Sequence, residues 1–278
     1  MKRCPYCGAE YPDDAEVCTI DRQPLPKRAA DPPPSANRKP VELAFPDYKW
    51  SARDVWKYFG TMLVLGFILS PLYWALRNYI PGFHNTQASG LGYFSWRLLD
   101  YGIDLLVAAY FARTETLASF WRAFGLDRKP SNYVWFGVVA ALGIRTFGVI
   151  VHSHGWSRGV GGVYDLDGCN STSGPERYLF LAPMLLLAPL FEEVINRGFL
   201  YEAFRGSFSV VVSTLFIIGW TAVNHWSYYS VSWIAALDLS LLTIVQCYLR
   251  EKSDSLWDCI FCHLTYNWSL LFLSNSYY

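Results

Sequence analysis

Seven apolar stretches constrain the fold of this chain more than any other feature of its sequence. They occupy roughly residues 58–76, 94–112, 132–151, 178–203, 208–228, 231–249 and 255–274. An apolar helix of about 20 residues is long enough to cross the hydrocarbon core of a bilayer. The sequence therefore predicts an all-α fold, a polytopic transmembrane helical bundle of about seven passes.

The composition agrees with a chain that crosses a bilayer repeatedly. Hydrophobic residues make up 53% of the 278 residues and charged residues only 17%, a poor balance for a soluble domain. The formal net charge is +0, so no overall attraction to nucleic acid is indicated. We predict that the lipid bilayer is a partner and that nucleic acid is not.

A short polar head, residues 1–24, precedes the apolar stretches and carries three cysteines. Cys4 and Cys7 are followed by Cys18 and, three positions later, by Asp21, a spacing suited to a small zinc ribbon with one carboxylate ligand. A head this short cannot fold on an apolar core alone, so structural zinc is the expected cofactor. The alternative is a disordered tail whose cysteines are incidental.

A linker rich in proline and basic residues, 25–57, joins the head to the predicted membrane domain, 58–278. Lysine and arginine are concentrated in alternate connections between the passes, and such residues favour the cytoplasmic side. They are Lys27, Arg28, Arg38, Lys39, Lys49, Arg53 and Lys57 before the first pass, Arg113, Arg122, Arg128 and Lys129 after the second, Arg205 after the fourth, and Arg250 and Lys252 after the sixth. We predict a multi-pass protein of a bacterial-type inner (plasma) membrane with its N-terminus in the cytoplasm.

Three charged residues lie together in the fourth pass. A charge at membrane depth is energetically costly, so such residues indicate a structural or functional role. Glu193 and Arg197 are four residues apart and share a helix face, so they are expected to pair. Glu192 points about 100° away and has no such partner on the helix. A carboxylate in that position is a candidate general base. The alternative is that both acids form a salt-bridge network that only packs helices.

Two later passes carry histidines. His225 ends the fifth apolar stretch, and a lone histidine there is often only a packing residue. His263 and Asn267 are four apart on the last pass, so both project from one face and can donate hydrogen bonds to a developing oxyanion. The letters CIFCH, 259–263, also match a haem-attachment pattern, which we interpret as a chance match on a membrane helix.

The predicted boundaries place these residues at unequal depths. At 1.5 Å per residue, Glu192 lies roughly 16 Å and His225 roughly 25 Å from the inner ends of their passes. The depths meet only if the fifth helix begins later or tilts strongly.

The combination of motifs resembles one family. EExxxR (Glu192, Glu193, Arg197), a histidine on the next helix (His225) and HxxxN (His263, Asn267) are similar to the CAAX-prenyl endopeptidase and bacteriocin-processing proteases, called CPBP or Abi proteins. The likeness covers about residues 178–275. The family's second motif reads FxxxH, whereas here Thr221 stands four positions before the histidine, with Trp220 beside it.

The resemblance implies an intramembrane endopeptidase that acts on membrane-bound peptides or proteins, including prenylated ones. It implies Glu192 as the general base and His225 as a second group holding the attacking water. His263 and Asn267 would stabilise the tetrahedral intermediate, with Glu193 and Arg197 in support. A Glu-His-His set is also a plausible ligand set for catalytic zinc, but the resemblance implies catalysis without a tightly bound metal.

Two other functions compete with the peptidase. One is a non-catalytic immunity or scaffolding protein that keeps the fold only for binding. The other is a transporter, for which matched halves with broken helices would be expected, and the sequence has no such internal repeat. The sequence names neither the substrate nor the oligomeric state.

Overall fold

The computed structural model describes residues 2–4, 9–12, 14–19, 25, 50–79, 90–154, 156 and 174–273, and this part of the chain is mostly helical. The helices are α1 (Ala52–Tyr79), α2 (Gly90–Phe111), α3 (Leu117–Ala123), α4 (Tyr133–Ser153), α5 (Pro175–Arg205), α6 (Val210–Asn224), α7 (Trp226–Val231), α8 (Trp233–Ser253) and α9 (Leu256–Leu273). Six of the seven predicted apolar stretches each fall largely on one of these helices, and the stretch 208–228 covers α6 and the start of α7. The prediction of a helical fold is therefore confirmed for the described residues from 50 onward.

Within the described residues, three helices are both long enough and apolar enough to cross a membrane by length and composition. They are Tyr133–Val151, Pro175–Arg205 and Trp233–Ser253, and α6 is a shorter apolar helix. The helices that fall outside this set include α2, which carries Arg97, Asp100 and Asp104. A helical membrane fold is therefore supported, while the count of seven passes stays a prediction.

Helix α5 is long and irregular because of its sequence. It alternates α-helical turns with two π-helical segments, Pro183–Leu187 and Val194–Tyr201. Pro183 and Pro189 cannot donate the backbone hydrogen bonds that a regular α-helix requires. Short π-helical segments inside α-helices are frequent at functional sites. The second segment begins directly after Glu192 and Glu193.

The hydrophobic core is centred on the second π-helical segment of α5. Phe199, Leu200 and Tyr201 are all fully buried there. The indole Nε1 of Trp50, which lies just before α1, donates to the carbonyl oxygen of Phe199 at 3.1 Å. Trp50 also packs against the ring of Phe124, which follows α3. The end of the predicted linker is thus anchored to the helix that carries the acidic motif.

One end of the helix bundle contains most of the basic residues that the structure describes. It is named the basic end here and is formed by residues 50–57, 111–131, 199–210 and 250–258. Ion pairs close it, with Arg205 Nε 2.5 Å from Glu251 Oε1 and Arg250 Nε 2.6 Å from Glu202 Oε1. The loop before α4 is fixed there as well, because the indole of Trp257 donates to the carbonyl of Leu126. This end of the bundle is tightly packed.

The other end is named the open end and is formed by residues 90–97, 153, 154, 156, 174–184 and 224–233. Tyr93 of α2 packs against Phe180 of α5, with ring centroids 5.4 Å apart. The indole of Trp233, which begins α8, donates to the carbonyl of Trp156 after α4. These contacts place the start of α2 beside the start of α5, and the start of α8 beside the end of α4.

The described part of the head forms a small hairpin. Strand β1 (Lys2–Arg3) pairs antiparallel with β2 (Glu10–Tyr11). Cys4 and Cys18 are both buried and share one cluster with Leu25. Two thiols brought together in this way fit a zinc ribbon, but the other predicted ligands, Cys7 and Asp21, lie outside the described residues. The zinc ribbon therefore stays a prediction, and the remainder of the linker, 26–49, also lies outside the described residues.

Candidate active site

A cavity of about 560 Å³ lies among α2, α5, α6, α8 and α9. All four residues predicted to be catalytic line it, namely Glu192, His225, His263 and Asn267. The structure thus brings together side chains from three separate helical segments of the sequence. Further polar residues that line the cavity are Tyr93, Arg97, Asp100, Tyr101, Asp104, Asn196, Arg197, Thr221, Asn224, Ser227, Tyr228, Thr243 and Gln246.

Glu192 reaches the cavity from α5 and is partly exposed there. Its Oε1 accepts a hydrogen bond of 2.9 Å from the hydroxyl of Tyr101 on α2. The Tyr101 ring stacks on Phe191, the preceding residue of α5, with centroids 5.6 Å apart. The expectation that Glu192 has no partner on its own helix is compatible with this contact, because the partner comes from a different helix. Tyr101 was missed from the sequence because nothing in the local pattern indicates which helix faces α5.

Glu193 lies beside the cavity and is fully buried. Its Oε1 accepts from Arg197 Nη1 at 3.0 Å, so the predicted pairing within the helix is confirmed. The same oxygen accepts from Gln246 Nε2 at 2.7 Å and lies 2.8 Å from His263 Nδ1. Glu193 therefore joins α5 to α8 and α9. Its contact with His263 goes beyond the helix-fixing role that the sequence predicted.

His263 and Asn267 both face α5 from α9. Because Nδ1 of His263 contacts Glu193, the imidazole is held by one edge and Nε2 lies on the opposite edge of the ring. Asn267 Nδ2 donates to the carbonyl oxygen of Met184 at 2.8 Å. Met184 belongs to the first π-helical segment of α5. The irregular turns of α5 thus help to fix the HxxxN pair.

His225 occupies the break between α6 and α7. It is the first residue after α6, and its backbone N–H donates to the carbonyl of Thr221. Its Nδ1 is buried without a hydrogen-bond partner in the described part of the chain. Buried polar atoms of this kind are rare in proteins, which makes the position a functional candidate.

The cavity includes residues that the predicted boundaries placed at unequal depths. Helix α6 begins at Val210 and ends at Asn224, inside the predicted bounds of 208–228. The cavity reaches from the end of α6 to the middle of α5 and α9, so His225 and Glu192 line the same space.

Charged residues on α2 line a further side of the cavity and belong to none of the sequence motifs. Arg97, Asp100 and Asp104 lie at spacings of three and four, which places them on one helix face. Asp104 Oδ1 accepts from the hydroxyl of Tyr58 on α1 at 3.1 Å. Their shared helical face is the sequence signal that could have predicted a polar wall on α2.

The cysteines of the CIFCH stretch are packing residues. Cys259 and Cys262 are both fully buried in the hydrophobic core. The thiol of Cys259 donates to the backbone carbonyl of Gln246 at 3.2 Å. His263, the last residue of the pattern, lies against Glu193. The burial of both thiols agrees with the interpretation of the haem pattern as a chance match on a membrane helix.

The described residues contain no group of three or more His, Cys, Asp or Glu side chains arranged to hold a metal ion. Glu192, His225 and His263 line one cavity without forming such a ligand cluster. Their arrangement around a shared space suits groups that hold a water molecule and a peptide between them.

Comparison with known families supports a protease-like domain in this part of the chain. Residues 174–269 match the family described as type II CAAX prenyl endopeptidase Rce1-like. The matched segment runs from the start of α5 into α9 and contains all the EExxxR, His225 and HxxxN positions. Helix α2, with Tyr101 and the charged residues Arg97, Asp100 and Asp104, lies outside the matched segment. Neither the curated proteins nor the solved structures gave a match to the chain.

Proposed function

We propose that this chain is an intramembrane endopeptidase that hydrolyses peptide bonds of membrane-associated substrates with a water molecule activated by Glu192. The observation that carries the proposal is that Glu192, His225, His263 and Asn267 line one cavity inside a bundle of apolar helices. The match of residues 174–269 to CAAX-type endopeptidases supports the same reaction class.

Glu192, and not Glu193, is assigned as the general base. Glu193 is 0% exposed and its Oε1 is occupied by Arg197, Gln246 and His263. Glu192 lines the cavity and its Oε1 is held from one side by Tyr101. A general base must be within hydrogen-bond reach of the proton that it removes. Of the two glutamates, only Glu192 lines the cavity.

In the proposed reaction, Glu192 and His225 hold a water molecule next to the scissile carbonyl. Glu192 accepts a proton from this water as its oxygen bonds to the carbonyl carbon. The negative charge that forms on the carbonyl oxygen is stabilised by N–H groups of His263 and Asn267. Glu192 then returns the proton to the leaving nitrogen as the C–N bond breaks.

The contact between Glu193 and His263 has a role in this scheme. A carboxylate that accepts from Nδ1 fixes the tautomer and orientation of an imidazole, so Nε2 is the edge presented to the substrate. Arg197 and Gln246 hold the carboxylate in turn. We therefore assign Glu193 to positioning His263 as well as to pairing with Arg197.

The apolar surroundings make these polar groups effective. Electrostatic interactions are stronger in a water-poor cavity than in bulk water, and donors fixed beforehand need no reorganisation during the reaction. A scaffold has little reason to keep such groups around a shared space at membrane depth, where each charge is costly.

The test is a comparison of protein N-termini in cells that produce the native chain or Glu192→Gln. We expect a set of new termini that depends on Glu192, and trapped substrate on the variant when complexes are analysed by mass spectrometry. Glu176→Gln, an exposed acid in the first turn of the same helix, is the matched control and should behave like the native chain. Identical termini in all three samples would favour a non-catalytic immunity or scaffolding protein.

We also propose that the head binds one structural zinc ion through Cys4, Cys7, Cys18 and Asp21. The support is the burial of Cys4 and Cys18 in one cluster beside a short hairpin. Metal analysis of the purified full chain should give about one zinc per chain, and less in a Cys4→Ser, Cys18→Ser variant. A chelator that removes this zinc should leave peptidase activity in place; loss of activity would point to catalytic zinc instead.

A further inference from the structure

We infer that Tyr266 is a specificity-determining residue that receives an apolar side chain of the substrate, and that Arg145 and Asp238 keep its ring in place. This inference rests on the proposed peptidase function for the identity of what is bound. None of the three residues is specified by the sequence motifs, and Arg145 lies outside the segment that matches the endopeptidase family.

Tyr266 lies on α9 between the two residues of the HxxxN motif. It follows His263 by three positions, which places both side chains on one helix face, and it directly precedes Asn267. Tyr266 lines the cavity although it is only 4% exposed. A peptide whose scissile carbonyl is held by His263 and Asn267 would therefore place a neighbouring side chain against the Tyr266 ring.

The cavity wall around Tyr266 is apolar. Leu239 and Leu242 of α8 line the cavity and belong to the same hydrophobic cluster as Tyr266. Ala235, one turn earlier on α8, lines it as well. The arginine and acidic residues of the lining belong instead to α2 and α5. Since burial of apolar surface is favourable, an apolar side chain of the substrate is expected on the side formed by α8 and α9.

Arg145 supports the Tyr266 ring from α4, a helix that packs against both α8 and α9. The guanidinium of Arg145 lies over the ring, 5.8 Å from the ring centroid. A cation over an aromatic face is attracted by the ring, and more strongly where water is excluded. Arg145 is 4% exposed, and the described residues that line the cavity do not include it. The ring is therefore held from behind the cavity wall.

Asp238 contributes to this support from α8. Its carboxylate lies against Gly148 of α4, where a Cβ atom would overlap Oδ2 of Asp238. Gly148 and Arg145 are three positions apart and share a helix face, and the charge of Arg145 interacts with Asp238. The close approach of α4 and α8 thus depends on glycine at position 148. It places an acid and a cation together behind the wall.

The two charges need an explanation beyond helix packing. Arg145 and Asp238 lie on two of the helices that are long and apolar enough to cross a membrane, where charge is costly. Apolar side chains of similar volume often join helices as stably as a buried ion pair does. This pair differs from a packing contact because Arg145 also contacts a residue of the cavity wall. We therefore assign the pair to positioning Tyr266.

Cleavage-site profiling tests the role of Tyr266. Cells produce the native chain, Glu192→Gln, Tyr266→Leu or Tyr266→Phe. Protein N-termini that depend on Glu192 are identified by mass spectrometry, together with the residues on both sides of each cleaved bond. Trp268→Leu is the matched control, because Trp268 is a 42% exposed aromatic residue on the same helix.

We expect the native profile to show an apolar preference at one position near the cleaved bond. One methylene group in an apolar pocket changes discrimination by about 10- to 200-fold, so Tyr266→Leu should change relative cleavage at that position by about tenfold or more. Tyr266→Phe keeps the ring and should keep the native profile. Trp268→Leu should also give the native profile.

Gly148→Ala tests the support behind the ring. The added Cβ displaces the carboxylate of Asp238, which is the movable end of a side chain, so the variant should still accumulate in the membrane. We expect a change at the same position of the profile, smaller than that of Tyr266→Leu. Gly143→Ala is the control on the same helix, because a Cβ at Gly143 would meet nothing within 4 Å.

The outcomes separate this inference from the proposed activity. Termini that depend on Glu192, with a native profile in Tyr266→Leu, would keep the peptidase and overturn the specificity role. A uniform loss of cleavage with an unchanged profile would show that Tyr266 is only structural. If Tyr266→Leu does not accumulate, a native profile in Gly148→Ala overturns the inference instead. A native chain without termini that depend on Glu192 would overturn the peptidase and this inference together.

Discussion

The two ends of the helix bundle use charged residues in opposite ways. At the basic end, Arg205 and Arg250 each form an ion pair with a carboxylate of another helix, and these pairs join α5 to α8. At the open end, polar side chains surround a cavity of about 560 Å³. Charge that is fully paired stabilises a fold, whereas charge arranged around a shared space is available for chemistry.

The cluster at the floor of the cavity links these two regions. Glu193 and Arg197 form a buried ion pair with a distance of 3.0 Å, and Glu193 also contacts His263. Substitutions at the basic end should therefore change stability alone, those on the cavity wall should change activity alone, and those at the floor should change both.

The largest effect is expected for Arg197→Met, which would leave the Glu193 carboxylate buried without its cation. Removing one partner of a buried ion pair costs about 3–5 kcal/mol. Thermal unfolding in detergent should show a lower Tm. The activity of the folded fraction should fall because the Glu193 carboxylate, which contacts His263, is no longer held by Arg197. A native Tm would contradict the role of this pair as the floor of the site.

His263→Ala should abolish most turnover while the protein still accumulates in the membrane. Loss of one oxyanion donor lowers kcat by about 10²- to 10³-fold in enzymes that use this device. His154→Ala, at an exposed histidine that follows α4, is the control and should leave turnover unchanged. Equal activity of the two variants would remove His263 from the mechanism.

Arg250→Met tests the basic end alone. Arg250 donates to Glu202 and to the carbonyl of Asp254, and hydrogen bonds to charged groups contribute about 1.5–3 kcal/mol each. Glu202 retains some access to solvent, so we expect a loss of about 2 kcal/mol in the free energy of unfolding. The kcat of the folded variant should match the native value; a large drop in kcat would mean that the two ends are coupled.

Tyr101→Phe should give the smallest effect, confined to catalysis. The change removes the hydrogen bond to Glu192 and keeps the stacking on Phe191. We expect the transition state to lose about 1.4 kcal/mol of stabilisation, which lowers kcat about tenfold. KM should stay near the native value because Tyr101 acts through Glu192. Tyr58→Phe removes a similar bond between helices, to Asp104, and is the control for stability. Equal losses of kcat in both variants would indicate a structural role for Tyr101.

The sequence predicted the helices well because their signal is local. Runs of apolar residues of the right length are visible without any tertiary information, and each predicted stretch falls on a helix. The pairing of Glu193 with Arg197 was predictable for the same reason, since four residues along a helix is a fixed geometry. The irregular turns of α5 were less predictable, although Pro183 and Pro189 are visible in the sequence.

The partners of the site residues depended on contacts between helices that are distant in the sequence. Tyr101 lies 91 residues from Glu192, and Gln246 lies 53 residues from Glu193. No periodicity within one helix indicates which face of another helix it meets. The contact between His263 and Glu193 was likewise hidden, although both motifs were recognised.

By itself, the sequence determined that this chain builds apolar helices, which of them carry costly polar groups, and which connections hold the basic residues. Each of these properties depends on side chains close together along the chain. Only the tertiary structure decided that the polar groups meet in one cavity, that Tyr101 contacts Glu192 and Glu193 contacts His263, and that the cavity extends to the end away from the basic end. Those properties depend on how whole helices pack, because packing brings together groups that the chain itself keeps far apart.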